Sequence, residues 1–107
     1  MGPERETDIQ YAICEYLSYR KDVFFWRSNN MPVFQRETGT YRALPKYGIA
    51  GVADILAVKN GQAWALEVKR KSKYQSEPQK QFQANFERVG GKYAVVRNVE
   101  EVVSLGL

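Results

Sequence analysis

The chain has 107 residues and a net charge of +4, which favours a single domain spanning residues 1–107 and an anionic partner. It contains one cysteine and no histidine, so its composition excludes an internal disulfide framework, histidine-based catalytic triads and histidine-ligated zinc. No apolar stretch is long enough for a membrane span or a signal core, and we therefore expect a soluble, intracellular protein of a viral or host cytoplasm.

The first half of the sequence predicts one helix, one strand and a long loop. Apolar side chains recur at helical spacing between residues 6 and 19, which predicts an amphipathic helix. The β-branched and aromatic run Val23–Arg27 predicts the first strand. Residues 31–51 contain several prolines and glycines and therefore predict an irregular connection, of a length that is often functional.

A hairpin follows, with strands predicted over residues 52–58 and 63–68. Asn60-Gly61 between two apolar runs is typical of a two-residue turn, which pairs residues whose numbers sum to 121, as 60 and 61 do. Asp54 then lies opposite Glu67. Both faces of the strands are apolar away from these charges, so we expect the hairpin at the centre of a sheet covered on both sides.

The remainder of the chain predicts a helix, a strand and a short closing helix. Ser76 and Gln79 have the spacing of a capping box and open a helix that extends to about residue 89, where Gly90-Gly91 ends it. A strand over residues 92–97 and a helix over 99–105 complete the order αβββαβ plus a terminal helix. This order predicts an α/β fold in which helices flank a mixed central sheet.

Three charged residues are expected on one face at one end of the hairpin. Because side chains alternate along a strand, Lys69 lies on the same face as Asp54 and Glu67. Opposed carboxylates repel each other, and a hard cation such as Mg²⁺ or Mn²⁺ relieves the repulsion, with the Val68 carbonyl as a further oxygen ligand. Such a metal beside a lysine indicates phosphodiester hydrolysis. The alternative is a solvated strand end, with Asp54 in a turn.

These residues carry a resemblance to a known family. In order, the chain contains Gly51-Val-Ala-Asp54, Glu67-Val-Lys69, Ser76-Glu-Pro-Gln79 and Tyr93-Ala-Val-Val-Arg97. The order resembles the virus-type replication-repair nuclease (VRR-NUC) domain of the PD-(D/E)xK superfamily over most of the chain, although Ala53 stands where the family often has proline. The resemblance implies a restriction-endonuclease-like αβββαβ core.

The resemblance also implies roles for individual residues. Asp54, Glu67 and the backbone carbonyl of Val68 would hold Mg²⁺ or Mn²⁺. Lys69 would act at the attacking water or at the scissile phosphate.

Two helical residues are implied at the same site. Glu6 would contribute from the first helix through water, although Glu4 competes for this role and Glu6 could instead interact with the helix dipole. Gln79 would contact the metal ligands from the start of the second helix, and this contact could coexist with its capping role toward Ser76.

Basic residues are expected to contact DNA phosphates. The run from Lys69 to Lys73 leads out of the acid cluster into a loop, for which a merely solvated loop is the alternative. The predicted DNA-binding residues are Arg70, Lys71, Lys73, Arg27, Arg36, Arg42 and Lys46. The tyrosines and tryptophans show no spacing that indicates base stacking.

The sequence and the resemblance together predict a Mg²⁺- or Mn²⁺-dependent, structure-selective DNA endonuclease of DNA repair. We expect a Holliday junction resolvase that acts as a homodimer, without a membrane or an organic cofactor as partner. The first alternative is an endonuclease that cuts flaps, nicks or general duplex DNA. A second is a non-catalytic, basic nucleic-acid-binding module.

Overall fold

The computed structural model describes residues 4–28, 34–35, 40–41 and 44–107. The helices are α1 (Glu6–Ser18), α2 (Glu77–Arg88) and α3 (Val99–Ser104). The strands are β1 (Val23–Arg27), β2 (Phe34–Gln35), β3 (Thr40–Tyr41), β4 (Ile55–Lys59), β5 (Gln62–Val68) and β6 (Lys92–Val96).

Four strands form one mixed sheet in the order β1-β4-β5-β6. The pairs β1–β4 and β4–β5 are antiparallel, whereas β5 and β6 are parallel and are joined through α2. A parallel pair needs such a crossover connection, because a tight turn reverses the chain. The predicted α/β fold, with helices flanking a mixed sheet and the hairpin at its centre, is confirmed.

The predicted irregular connection is wrong in one respect, because β2 and β3 pair there as a separate two-stranded antiparallel sheet. The structure does not describe residues 29–33, 36–39 and 42–43. The prediction of an irregular connection lies outside the described residues at these positions. Residues 44–51 form turns and irregular backbone, as predicted.

The hairpin has the predicted turn and register. Asn60 (φ 52°) and Gly61 (φ 76°) both adopt the left-handed conformation of a type I′ turn. Ile55 pairs with Leu66, which satisfies the predicted sum. The first strand of the hairpin begins three residues later than predicted, because residues 52–53 are irregular and Asp54 forms a bend.

The two faces of the sheet differ in what covers them. The packed face carries the hydrophobic core, in which α1 and α3 cover the sheet. On α1, Ile9, Ile13 and Leu17 are four residues apart and form the single apolar stripe that an amphipathic helix buries. The sheet and α3 contribute Ile55, Leu66, Val68, Val96 and Val102.

The opposite face of the sheet, called the site face here, is covered by α2 over β6. It includes alternate strand residues in the rows Trp26–Leu56–Ala65–Tyr93 and Phe24–Val58–Ala63. The Phe82 ring on α2 lies 6.2 Å from the Tyr93 ring, centroid to centroid, and fixes the helix over β6. Among the described residues, no helix has the length and apolar character needed to cross a bilayer.

Candidate active site

The hairpin register brings two carboxylates together on the site face. Glu67 lies on β5, and Asp54 immediately precedes β4 in the position that the register places opposite Glu67. The Lys69 Nζ lies 3.8 Å from the Glu67 Oε2. The Glu67 side chain is 2% exposed and that of Lys69 is 13% exposed, so the alternative of a solvated strand end is wrong.

Backbone hydrogen bonds hold Asp54 in place. Its Oδ2 accepts from the Val68 N–H at 2.8 Å, and its carbonyl oxygen accepts from the Ser28 N–H at 2.8 Å. The N–H and C=O of one strand residue point toward the same neighbouring strand. The Val68 carbonyl is therefore directed to the side on which Asp54 lies.

The ionised form of Glu67 is strongly disfavoured. Burial, followed by the neighbouring charge of Asp54, raises the pKa of Glu67 to about 8, although Lys69 opposes the shift. The Glu67 Oε1 is buried without a hydrogen-bond partner among the described residues. A buried carboxylate oxygen without a donor costs free energy unless a proton or a cation neutralises the group. When both carboxyls are ionised, the cluster is therefore short of one positive charge.

Gln79 makes both of the predicted contacts. Its Oε1 accepts from the Ser76 N–H at 2.8 Å, and its own N–H donates to the Ser76 hydroxyl at 3.4 Å, which closes the capping box of α2. At the same time its Nε2 donates to the Glu67 Oε2 at 3.0 Å. The start of α2 is thus hydrogen-bonded to the acid pair through one side chain.

Gly51 also shapes this site, although the sequence alone predicted no role for it here. It has a φ of 77°, and a Cβ built there would lie 2.3 Å from the backbone carbon and oxygen of Pro78. Only glycine lets the chain approach the first turn of α2 this closely. The segment that leads into Asp54 is thereby seated against the helix that carries Gln79.

Glu6 reaches the edge of the same site. Its Oε2 accepts from the Arg70 N–H at 3.2 Å, and its charge adds to the causes that raise the pKa of Glu67. Glu4, the rival, lines a cleft further along the basic loop. No group of three or more His, Cys, Asp or Glu among the described residues is arranged to hold a metal, and metal binding through Glu6 stays a prediction.

The predicted basic loop forms one wall of a cleft of about 540 Å³. Its lining includes Arg70, Lys71 and Lys73 together with Arg97 and two acids, Glu4 and Glu101. Arg97 was part of the family motif but was not predicted to bind DNA. The Arg97 Nη2 donates to the Lys73 carbonyl at 3.0 Å and so fastens the basic loop to the end of β6.

The other predicted DNA-binding residues are not gathered at this cleft. Arg27 points to the packed side, where its Nε donates to the Gln10 Oε1 at 2.7 Å and its guanidinium lies 4.8 Å from the centroid of the Tyr11 ring. The ammonium of Lys46 lies 5.3 Å from the neighbouring Tyr47 ring. Arg36 and Arg42 lie outside the described residues.

Comparison of the chain with protein-family models, with curated proteins and with solved structures gives no match.

Proposed function

We propose that the chain is a Mg²⁺- or Mn²⁺-dependent DNA endonuclease with a restriction-endonuclease-like fold. The observation that carries the proposal is the buried Glu67 paired with the half-buried Asp54, with the Lys69 ammonium beside them. The two carboxylates accept hydrogen bonds from the Val68 N–H and from Gln79, yet their proximity opposes ionisation. A site retains such a costly arrangement when its chemistry uses it.

The residues fit a hard divalent cation. Carboxylate and carbonyl oxygens are the ligands that Mg²⁺ and Mn²⁺ take, and Asp54, Glu67 and the Val68 carbonyl would supply them. The unpartnered Oε1 of Glu67 supports this assignment, because a cation would satisfy it. When bound, the metal would lower the pKa of a coordinated water and neutralise charge on a phosphodiester.

The surrounding side chains supply orientation and charge. Gln79 donates to one oxygen of Glu67 and leaves the other available. Lys69 is held with its ammonium at the acid pair, where it would donate a hydrogen bond to the attacking water or to a phosphate oxygen. A fixed cation at the position where charge develops stabilises the transition state more than a mobile one in water.

The basic cleft supports a polyanionic substrate. Arg70, Lys71 and Lys73 follow directly after Lys69, and phosphate contacts from such residues position a nucleic acid without reading its sequence. We propose branched DNA, with a four-way junction as the preferred form. A homodimer suits that substrate, because a two-fold axis places two sites on two strands symmetrically.

The test is cleavage of end-labelled four-way junction, flap and plain duplex DNA in Mg²⁺, in Mn²⁺ and in chelator. We expect cutting of the junction in either metal and no cutting in chelator. Asp54→Asn and Lys69→Ala should each reduce the rate by at least about 10²-fold and leave DNA binding nearly unchanged.

Matched controls lie at the far end of the sheet. Asp22→Asn and Lys21→Ala repeat the chemical changes in the turn that precedes β1, and both should keep wild-type activity. Absence of cutting of every substrate in both metals would refute the endonuclease. Preferential cutting of flaps or duplex would support the nuclease activity but contradict the four-way junction as the preferred substrate. Sedimentation as a stable monomer would contradict the homodimer.

A further inference from the structure

The outer strand β1 presents two aromatic side chains to solvent. Phe24 is 71% exposed and Trp26 is 44% exposed, and their ring centroids lie 5.8 Å apart. The alternate residues Val23 and Phe25 pack against the hydrophobic core instead. A strand with one buried face normally carries polar residues on the other. Here both outward positions are large and aromatic.

These two rings, called the aromatic strip here, lie on the same face of the sheet as the acid pair. Trp26 is paired with Leu56, which is two residues from Asp54 and on the same face. Diagonal neighbours of this kind are about 7–8 Å apart between backbone positions. Phe24 is paired with Val58 and continues the strip one row further from the acids. The strip thus begins next to Asp54 and leads away from it.

We propose that the aromatic strip stacks unpaired bases of the DNA strand whose phosphate lies at the acid pair. The inference rests on the proposed endonuclease function and specifies its substrate. Aromatic side chains on an open sheet surface bind splayed bases by stacking, independently of sequence. In uniform duplex DNA the bases are already stacked on each other. The favoured form of the branched substrate therefore has unpaired bases beside the cut, as in a junction arm that has opened.

The area of the aromatic strip favours DNA over a second protein chain as its partner. Complete burial of one Phe and one Trp would remove at most about 500 Å² from solvent, whereas a stable dimer buries about 800 Å² on each partner. The strip is also continuous with the acid pair, and the basic loop that starts at Lys69 lies beyond that pair. A single DNA strand, which is a flexible polyanion with aromatic bases, fits an aromatic strip, an acid pair and a basic loop that follow one another across the surface.

The experiment compares DNA affinities in chelator, where no cutting occurs. The probes are a short single-stranded oligonucleotide, a fork with the same sequence and the fully paired duplex. Trp26→Ala and Phe24→Ala should each weaken binding of the single strand and the fork by about fivefold or more, with little change for the duplex. Trp26→Phe should restore most of the affinity, because it retains a stacking ring.

Tyr19→Ala is the matched control, since Tyr19 is 75% exposed at the end of α1 away from Glu6. It should bind all three probes as the wild type does. Thermal unfolding of each variant verifies the fold, and the 71% exposure of Phe24 predicts little change in stability for Phe24→Ala.

Three results would overturn the stacking proposal. They are no binding of the single strand by the wild type, an equal loss of affinity for all three probes, and unchanged affinity together with a shift in sedimentation that makes the strip a protein interface. Its failure is distinguishable from that of the nuclease, because cutting in Mg²⁺ or Mn²⁺ is measured separately. A wild type that cuts DNA while Trp26→Ala binds normally would refute stacking alone.

Discussion

Leu66 and Glu67 are adjacent residues of β5 and both are buried, but for opposite energetic reasons. Leu66 points to the packed face, where removal of its apolar surface from water stabilises the fold. Glu67 points to the site face, where burial beside Asp54 raises its pKa and leaves one oxygen without a donor. Stability is thus concentrated on one face of the sheet, and the candidate chemistry on the other.

The largest expected effect on stability comes from the packed face. Leu66→Ala leaves a cavity among fully buried neighbours and should lower the free energy of unfolding by about 2–5 kcal/mol. Cutting by the protein that remains folded at low temperature should persist, because the Leu66 side chain lies in the hydrophobic core on the packed face and not on the site face. Urea denaturation followed by the junction assay measures both quantities. A loss below 1 kcal/mol would contradict the assignment of this face as the core.

An intermediate effect is expected at Gly51, where the segment that leads into Asp54 meets the first turn of α2. Gly51→Ala forces a β-carbon against the backbone of Pro78 and a non-glycine residue into positive φ, which costs about 1–3 kcal/mol for the backbone conformation alone. The first turn of α2 should shift, and Gln79 with it, so cutting should fall together with stability.

Gly61→Ala is the control that separates backbone strain at positive φ from displacement of α2. Gly61 also has positive φ, but no atom lies within 4 Å of a Cβ built there. This control should lose stability through strain and retain its cutting rate per folded molecule. Equal loss of cutting in both variants would show that contact with Pro78 does not position the site.

A pH-dependent effect is expected from Glu67 in chelator. Its pKa is raised from 4.5 to about 8 in the folded chain, so between these values the folded state retains a proton that the unfolded chain has released. Stability should therefore fall as pH rises through this window and level off above it. Glu67→Gln should flatten the decline, whereas Glu87→Gln, on the exposed side of α2, should leave it unchanged. Denaturant midpoints at several pH values check the slope.

Local patterns predicted much of this site. Asn60-Gly61 fixes the register by turn chemistry alone, and the register determines that Asp54 meets Glu67. The capping box was equally visible, because Ser76 and Gln79 are three residues apart. These features depend on residues that are close in sequence, so they can be predicted without knowledge of the rest of the fold.

Long-range contacts could not be obtained in this way. The hydrogen bond from the Arg70 N–H to Glu6 joins residues 64 positions apart, and Arg27 was expected at DNA yet meets Gln10 on α1. The outward position of Phe24 and Trp26 depends on which face of β1 the helix α1 covers. The aromatic run Val23–Arg27 predicts a strand, but alternation alone does not tell which of its residues stay exposed.

The most direct test of the acid pair as a cation site is thermal unfolding at pH 8 with and without millimolar Mn²⁺. A cation that binds only the folded state raises the melting temperature by mass action. The wild type and the control Asp22→Asn should show this rise, and Asp54→Asn and Glu67→Gln should not. Equal responses in all four proteins, or no response in the wild type, would contradict a metal site at Asp54 and Glu67.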